Sequence, residues 1–235
     1  MTGDVGLFVS VILQGLPVTV LATVGGIALT IVLSFAAGLA LMARSRAVRV
    51  LARIYVEGLR GTSEVVQLFW VFFALPLLVG YQIVPLAAGI LVLGLNHGAY
   101  GAEIVRGAVQ SVPRAQIEGA MALSLSPAQR MVRVVLPQAV VEMLPPFNTL
   151  FIQLLKSTAL LSFVSILDLT GIAQQRLIPN FGPQDFTIWT VVLVFYLVLA
   201  LLITAVMRLL ERAGAARLGR GPVPKRRAPV PAGVG

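Results

Sequence analysis

Glu118-Gly119-Ala120-Met121-Ala122-Leu123-Ser124-Leu125-Ser126-Pro127-Ala128-Gln129-Arg130-Met131-Val132-Arg133-Val134-Val135-Leu136-Pro137 is a polar island between two strongly apolar stretches. Reversing the chain between two membrane spans takes only a few residues. This island is long enough for two short helices. Pro113 suits a helix start, and 116–124 reads as a helix with Ile117, Ala120, Met121 and Ser124 along one side. Ser126-Pro127 joins an N-cap to a first-turn proline, so a second helix begins there. It carries Arg130 and Arg133 and is expected to end near Leu136-Pro137, because the residue before a proline leaves the helical region. The segment 113–137 is thus predicted to be a helical hairpin outside the bilayer, ordered enough to dock a partner.

The flanks show what the hairpin emerges from. The 235 residues are 58% hydrophobic and 11% charged, with mean hydropathy +0.94. Soluble domains carry about 25% charged residues, so lipid is the solvent for most of this chain. A span needs about 20 apolar residues, and five stretches qualify: 15–42, 56–80, 84–104, 147–167 and 187–207. The apolar runs are continuous rather than alternating, which disfavours a β-barrel. The first run is too long for a signal peptide, and only Asp4 precedes it as a charge. The expectation is an all-α polytopic membrane protein with one transmembrane domain over 1–208. Residues 209–235, rich in Gly, Pro and Arg, are expected to be a disordered basic tail.

The net charge of +9 has a location. Fifteen of the eighteen basic residues fall in 44–53, 106–133 and 208–227, all on one side if five spans are drawn. The positive-inside rule then predicts an N-terminus outside and a C-terminus in the cytoplasm. These arginines flank spans, as topology determinants and contacts to membrane lipid do. No nucleic-acid recognition motif accompanies them, so nucleic acid is not an expected partner.

Several chemistries are excluded. There is no cysteine, and His97 is the single histidine, so neither a thiolate nor a multi-imidazole metal site can form. No glycine-rich phosphate loop is present. Lys156-Ser157-Thr158 has the ending of one, without the glycines, inside a span. No catalytic constellation, metal or cofactor is expected, and ATP hydrolysis would need another chain.

Polar groups inside spans are costly and mark pathways or pairs. Glu57, Arg60 and Glu64 stand at i, i+3 and i+7, sharing one helical face. They read either as a self-satisfied ion pair or as the lining of a polar pathway. Asn96 and Glu103, seven apart, share a face of the third span, and His97 reads as a hydrogen bond between helices. Pro145-Pro146 is expected to open the fourth span, which holds Asn148, Gln153, Lys156 and Ser157. Asp168 lies just beyond that span, and 171–185 is expected to be an extracytoplasmic loop. Glu64, Asn96, Glu103, Asn148 and Lys156 are the candidate pathway residues.

The hairpin resembles the Glu-Ala-Ala loop of binding-protein-dependent ABC importer permeases. Glu118-Gly119-Ala120, then Ser124, then Val134-x-Leu136-Pro137 keep that loop's spacing, with Gly119, Ser124 and Val134 replacing the family's alanine, glycine and isoleucine. Arg60-Gly61-Thr62, Gly98-Ala99-Tyr100, Gln110-Ser111-Val112-Pro113, Leu136-Pro137-Gln138-Ala139 and 154–158 are similar to the polar amino-acid branch. Ser63-Glu64 stands where that branch has a proline and an apolar residue, and the run 60–70 is similar to permeases for ectoine and hydroxyectoine. The resemblance implies the type I ABC importer permease (MetI-like) fold in a bacterial inner membrane. It implies ABC ATPase subunits, a second permease subunit (self or paralogue) and an extracytoplasmic solute-binding protein as partners. Glu118, Gly119, Ala120, Ser124, Leu136 and Pro137 would meet the ATPase, and Glu64 could pair with a cationic group of the solute. A stand-alone secondary transporter or channel is the rival, but it predicts internal repeats that 1–117 and 118–235 do not show.

Overall fold

The computed structural model describes residues 2–80 and 84–217, and among them there is helix and no strand. Helix α1 (Thr2–Ile12) passes through a tight turn, Leu13–Gly15, into α2 (Leu16–Ala40). Helix α3 (Arg46–Arg60) stops at Gly61, and α4 (Glu64–Phe69) and α5 (Leu75–Val79) continue in a new direction. The long α6 (Pro85–Ser111) leads to α7 (Arg114–Ala122), α8 (Pro127–Arg130) and α9 (Leu136–Ser157). Short α10 (Leu169–Ile172) and α11 (Ile178–Phe181) precede α12 (Asp185–Arg217).

Among the described residues, three helical runs are long and apolar enough to cross a bilayer: Val5–Ala40, Pro127–Val164 and Leu169–Ala216. A fourth arises if α3 and the segment Glu64–Val79 count as one span, but a 102° bend separates them. The expected second span, 56–80, is corrected accordingly. Gly61-Thr62-Ser63 breaks the helix, so Glu57 and Arg60 do not share a face with Glu64. The expected third span lies within α6, whose 27 residues are about 40 Å long. Its middle is too polar to face lipid, and other helices cover it instead.

Close approach between α2 and α6 organises the bundle. A Cβ at Gly94 would stand 2.5–2.7 Å from Leu29, and one at Gly98 would stand 2.8 Å from Leu33 and from the Tyr55 hydroxyl. Gly38 of α2 returns the contact: a Cβ there would come within 2.9 Å of Val105 and of the Ala102 carbonyl. In lipid, such surfaces supply the dispersion contact that draws helices together. At the opposite end Gly15 lies against the backbone of Asp168, where a Cβ would come within 2.6 Å.

Three wide turns recur with one cause. Trp70–Ala74, Met131–Val135 and Ala173–Leu177 each close with a backbone bond from i to i−5. In each case a proline follows two residues after the last: Pro76, Pro137 and Pro179. Proline lacks an N–H and its ring would strike the carbonyl four residues back. One widened turn removes that clash without ending the helix. The second hairpin helix therefore does not end at Leu136-Pro137 as expected; it runs on into α9. Pro145 and Pro146 lie inside α9 rather than opening a span, with α6 and α12 packed against that helix.

The expected loop at 171–185 is also corrected. Asp168 caps α10 by accepting from the Gly171 N–H at 2.7 Å, and helical turns continue to Gln184. Of the expected tail, 209–217 continue α12, since Leu209 to Ala216 still favour helix; 218–235 lie outside the described residues.

The α2–α6 contact is open to test. Gly94→Val is expected to cost about 1–3 kcal/mol by overpacking, seen as a lower melting temperature of the detergent-solubilised protein. Gly107→Ala, where nothing lies within 4 Å, is expected to leave it unchanged or slightly higher.

Candidate functional site

The hairpin is built by two caps back to back. Helix α7 ends with Ser124 at φ 56°, a left-handed conformation that glycine adopts at no steric cost. The Leu125 N–H donates to the Ala120 carbonyl at 3.1 Å and the Ser124 N–H to Met121 at 2.8 Å. This paired pattern satisfies the last carbonyls of a helix. Two residues on, the Ser126 hydroxyl accepts from the Gln129 N–H at 3.3 Å, while Gln129 Oε1 accepts from the Ser126 N–H at 2.9 Å. That reciprocal box starts α8 where Ser126-Pro127 predicts it.

The hairpin turns an outward face to its surroundings. Glu118, Gly119, Ser124 and Pro137 are exposed, whereas Ala120 is buried and Leu136 is half-buried against the core. The hairpin also exposes Met121, Leu123 and Val132, at 50%, 76% and 63%. Exposed apolar side chains on an ordered hairpin make a surface suited to a partner protein. Ala120 and Leu136 hold the hairpin's shape from within.

The candidate pathway residues fall into separate clusters. Glu64, first residue of α4, accepts from Ser157 Oγ at 2.9 Å and has Oε1 3.4 Å from His97 Nδ1. His97 Nδ1 also lies 3.0 Å from the Leu93 carbonyl. Both neighbours are acceptors, so the N–H belongs on Nδ1. His97 thus bonds within its own helix and faces α4. Glu64 Oε1 and His97 Nε2 are buried without a hydrogen-bond partner.

Asn96 sits one residue away but in another set. Its Nδ2 donates to the Leu59 carbonyl at 3.2 Å and to Gln67 Oε1 at 3.1 Å. Gln67 Nε2 donates to the Leu59 carbonyl at 2.9 Å and to Thr62 Oγ1 at 2.7 Å. Together they satisfy the Leu59 carbonyl where α3 stops, which makes the sharp bend tolerable.

Glu103 belongs to a third place. Arg106 forks onto its Oε2 at 2.8 and 2.5 Å, and Arg60 stacks 5.0 Å over the Tyr100 ring. Arg60, Tyr100 and Glu103 of one wall face Pro146, Thr149 and Gln153 of α9 across a cavity of about 530 Å³. Pro146, Thr149, Gln153 and Lys156 recur at helical spacing, forming one stripe. Glu103 also borders a second cavity of about 460 Å³ with Arg53, Glu57, Arg106 and Gln110. Asn148 lies off the α9 stripe, with Oδ1 buried and unpartnered.

Sequence reasoning missed the network at the opposite end. Asp168 is fully buried, and the Tyr196 hydroxyl donates to its Oδ2 at 3.2 Å while standing 3.1 Å from Thr170 Oγ1. The Leu169 N–H donates to Thr19 Oγ1 at 3.1 Å, tying α10 to α2. Tyr196 lies in an apolar run with no local signal of its partner. Among the described residues no group of acidic or histidine side chains could hold a metal ion.

Residues 30–214 match the family described as binding-protein-dependent transport system inner membrane component. A probable amino-acid ABC transporter permease of Sinorhizobium fredii is 43% identical over 84% of this chain and 84% of its own. The glutamine transport system permease of Escherichia coli is 34% identical over 87% and 93%. A chain from the crystal structure of an amino acid ABC transporter with histidines superposes with TM-score 0.78, 29% identity and coverage of 87% and 94%. The inward-facing methionine ABC transporter shares the fold at TM-score 0.73 and 24% identity, over 87% and 96%.

The hairpin's two caps predict opposite effects. Ser124→Gly is expected to stabilise α7 by about 1 kcal/mol by removing left-handed strain. Ser126→Ala is expected to cost about 1 kcal/mol. Amide hydrogen exchange across 119–129 should slow in the first variant and quicken in the second.

Proposed function

The chain belongs to the family of binding-protein-dependent transport inner-membrane components, and on that premise we propose that it forms the solute pathway of an ATP-driven importer. The cargo is an amino acid or an amino-acid-derived compatible solute such as ectoine. Amino-acid permeases among its relatives support the class. The protein is a multi-pass inner-membrane protein. It works without catalysing: ATPase subunits hydrolyse ATP, an extracytoplasmic binding protein delivers the solute, and a second permease subunit completes the path.

One observation carries this reading. The helical run Pro127–Val164 is continuous from the hairpin to the α9 stripe of Thr149, Gln153 and Lys156. A push on the hairpin is therefore transmitted along α9, with the wide turn Met131–Val135 as the point that bends. Glu118, Gly119, Ser124 and Pro137 are the residues that meet the ATPase directly. The basic clusters support a cytoplasmic hairpin and C-terminus with the N-terminus outside. The rival reading as an unassisted channel leaves the exposed hairpin without a purpose.

The pathway side follows from charge. Arg60 and Glu103 present opposite charges at one cavity, matching a solute that carries both a carboxylate and a cationic group. Lys156 extends the α9 stripe. Glu64 and Asn96 form the wall behind it: one Glu64 oxygen accepts from Ser157, and the Asn96 amide is committed to Leu59 and Gln67. Asn148 is a pathway candidate only if α9 rotates.

Two experiments separate the parts of this proposal. In the purified assembly, Glu118→Lys is expected to abolish solute-stimulated ATPase activity while the chain still folds; unchanged stimulation would sink the coupling role. In vesicles supplied with the binding protein, Arg60→Gln is expected to slow uptake about tenfold, the loss of one charge-assisted hydrogen bond of about 1.5 kcal/mol. Titrating the binding protein with glutamine, basic amino acids and ectoine then distinguishes the cargo.

A further inference from the structure

Helix α3 carries three stripes rather than two. Arg46, Arg49, Arg53, Glu57 and Arg60 recur on one side at helical spacing. Ala52 and Val56 are buried, Val56 in a cluster with Ala37 of α2 and Ala102 of α6. The third side holds Val50, Leu51 and Ile54, and Leu51 and Ile54 are exposed at 67% and 64%. A helix docked on a protein in water would not spend its free side on leucine and isoleucine.

Depth and direction say what covers that side. Ala37 lies three residues before the end of α2, so α3 packs about 5 Å from the mouth of that span. The 102° bend to the segment Glu64–Val79 sets α3 across, not along, the direction in which that segment runs. With the segment Glu64–Val79 taken as the part that runs across the bilayer, a helix at this depth and inclination lies in the plane of the membrane surface. Its apolar side then meets acyl chains while its arginines meet headgroups.

Charge chooses among headgroups. Arg53 pairs with Glu57 at 3.6 Å, and Arg49 donates to the carbonyls of Ala43 and Arg44. Glu57 is the acidic residue on α3, and it is thus engaged. Arg44 and Arg46 have no carboxylate within ion-pair distance among the described residues. They stand at the start of α3, at the edge of the same surface.

We propose that α3 is an interfacial helix that binds anionic phospholipid headgroups through Arg44 and Arg46, with Leu51 and Ile54 inserted among the acyl chains. A second copy of the chain, or an ATPase, would instead bury this side against protein.

The absence of cysteine in the chain allows a single fluorophore on Leu51→Cys in the full chain, reconstituted in phosphatidylcholine vesicles with or without phosphatidylglycerol. Labels at Leu197→Cys, on the exposed side of α12, and at Leu123→Cys, on the hairpin, give deep and aqueous references. The label at 51 is expected to be quenched by lipids brominated near the headgroup, and more by brominated phosphatidylglycerol than by brominated phosphatidylcholine. Each arginine favours the anionic lipid about fivefold, the equivalent of about 1 kcal/mol. Arg44→Gln with Arg46→Gln is therefore expected to bring the ratio to unity with the quenching itself retained. Quenching as weak as at 123 would overturn the insertion, whether water or protein covers the helix. Equal quenching by the two lipids in the unsubstituted arginine background, or a preference that survives both substitutions, would overturn the headgroup assignment.

Discussion

The distance between α2 and α6 is set by glycine. Gly94, Gly98 and Gly38 leave no room for a methyl group, so two backbones meet along several turns. A hydrocarbon solvent offers no hydrophobic drive to pair helices, and contact of this kind must supply it. With α6 held from that side, its other side presents Asn96, His97, Tyr100 and Glu103 to α3, α4 and α9. The polar clusters around Glu64, Asn96 and Glu103 all hang from that arrangement. Separating α2 from α6 by one methyl would move them all.

A second constraint is that no backbone group can be left bare in lipid. Proline threatens this rule most, and the chain answers it in the same way at Pro76, Pro137 and Pro179. Each widened turn keeps the helix continuous while leaving a site where it bends readily. The same rule explains several of the hydroxyls. Thr19, Thr23, Thr158 and Ser162 each donate to a carbonyl of their own helix, which renders them harmless. Glu64 Oε1, His97 Nε2 and Asn148 Oδ1 are not silenced in this way. Glu64 and His97 sit together where α4 and α6 meet the end of α9, away from the lipid-facing sides.

On the proposed coupling role, the hairpin shows how a local motif becomes mechanical. Its caps are written in a few residues, and the left-handed Ser124 takes the place usually given to glycine. A serine there carries strain, yet the Schellman bonds and the box at Ser126 hold the turn. Rigidity in the hairpin matters because α8 continues through Met131–Val135 into α9. Without that continuity the hairpin would be an isolated knob.

The sequence by itself determined the membrane setting, the hairpin at 113–137, its second cap and the absence of thiol chemistry. Those follow from hydropathy, capping chemistry and composition, which act over a few residues. Tertiary structure alone decided which polar residues belong together. Glu57, Arg60 and Glu64 share helical spacing, yet Gly61 breaks the helix and sends Glu64 to His97 and Ser157. Leu136-Pro137 looks like a helix end, yet a widened turn and packing by α6 and α12 carry the helix onward. Asp168 and Tyr196 meet across 28 residues because α10 folds back against α12. Hydrogen bonds of this kind depend on which helices lie side by side, and periodicity along one segment cannot encode that.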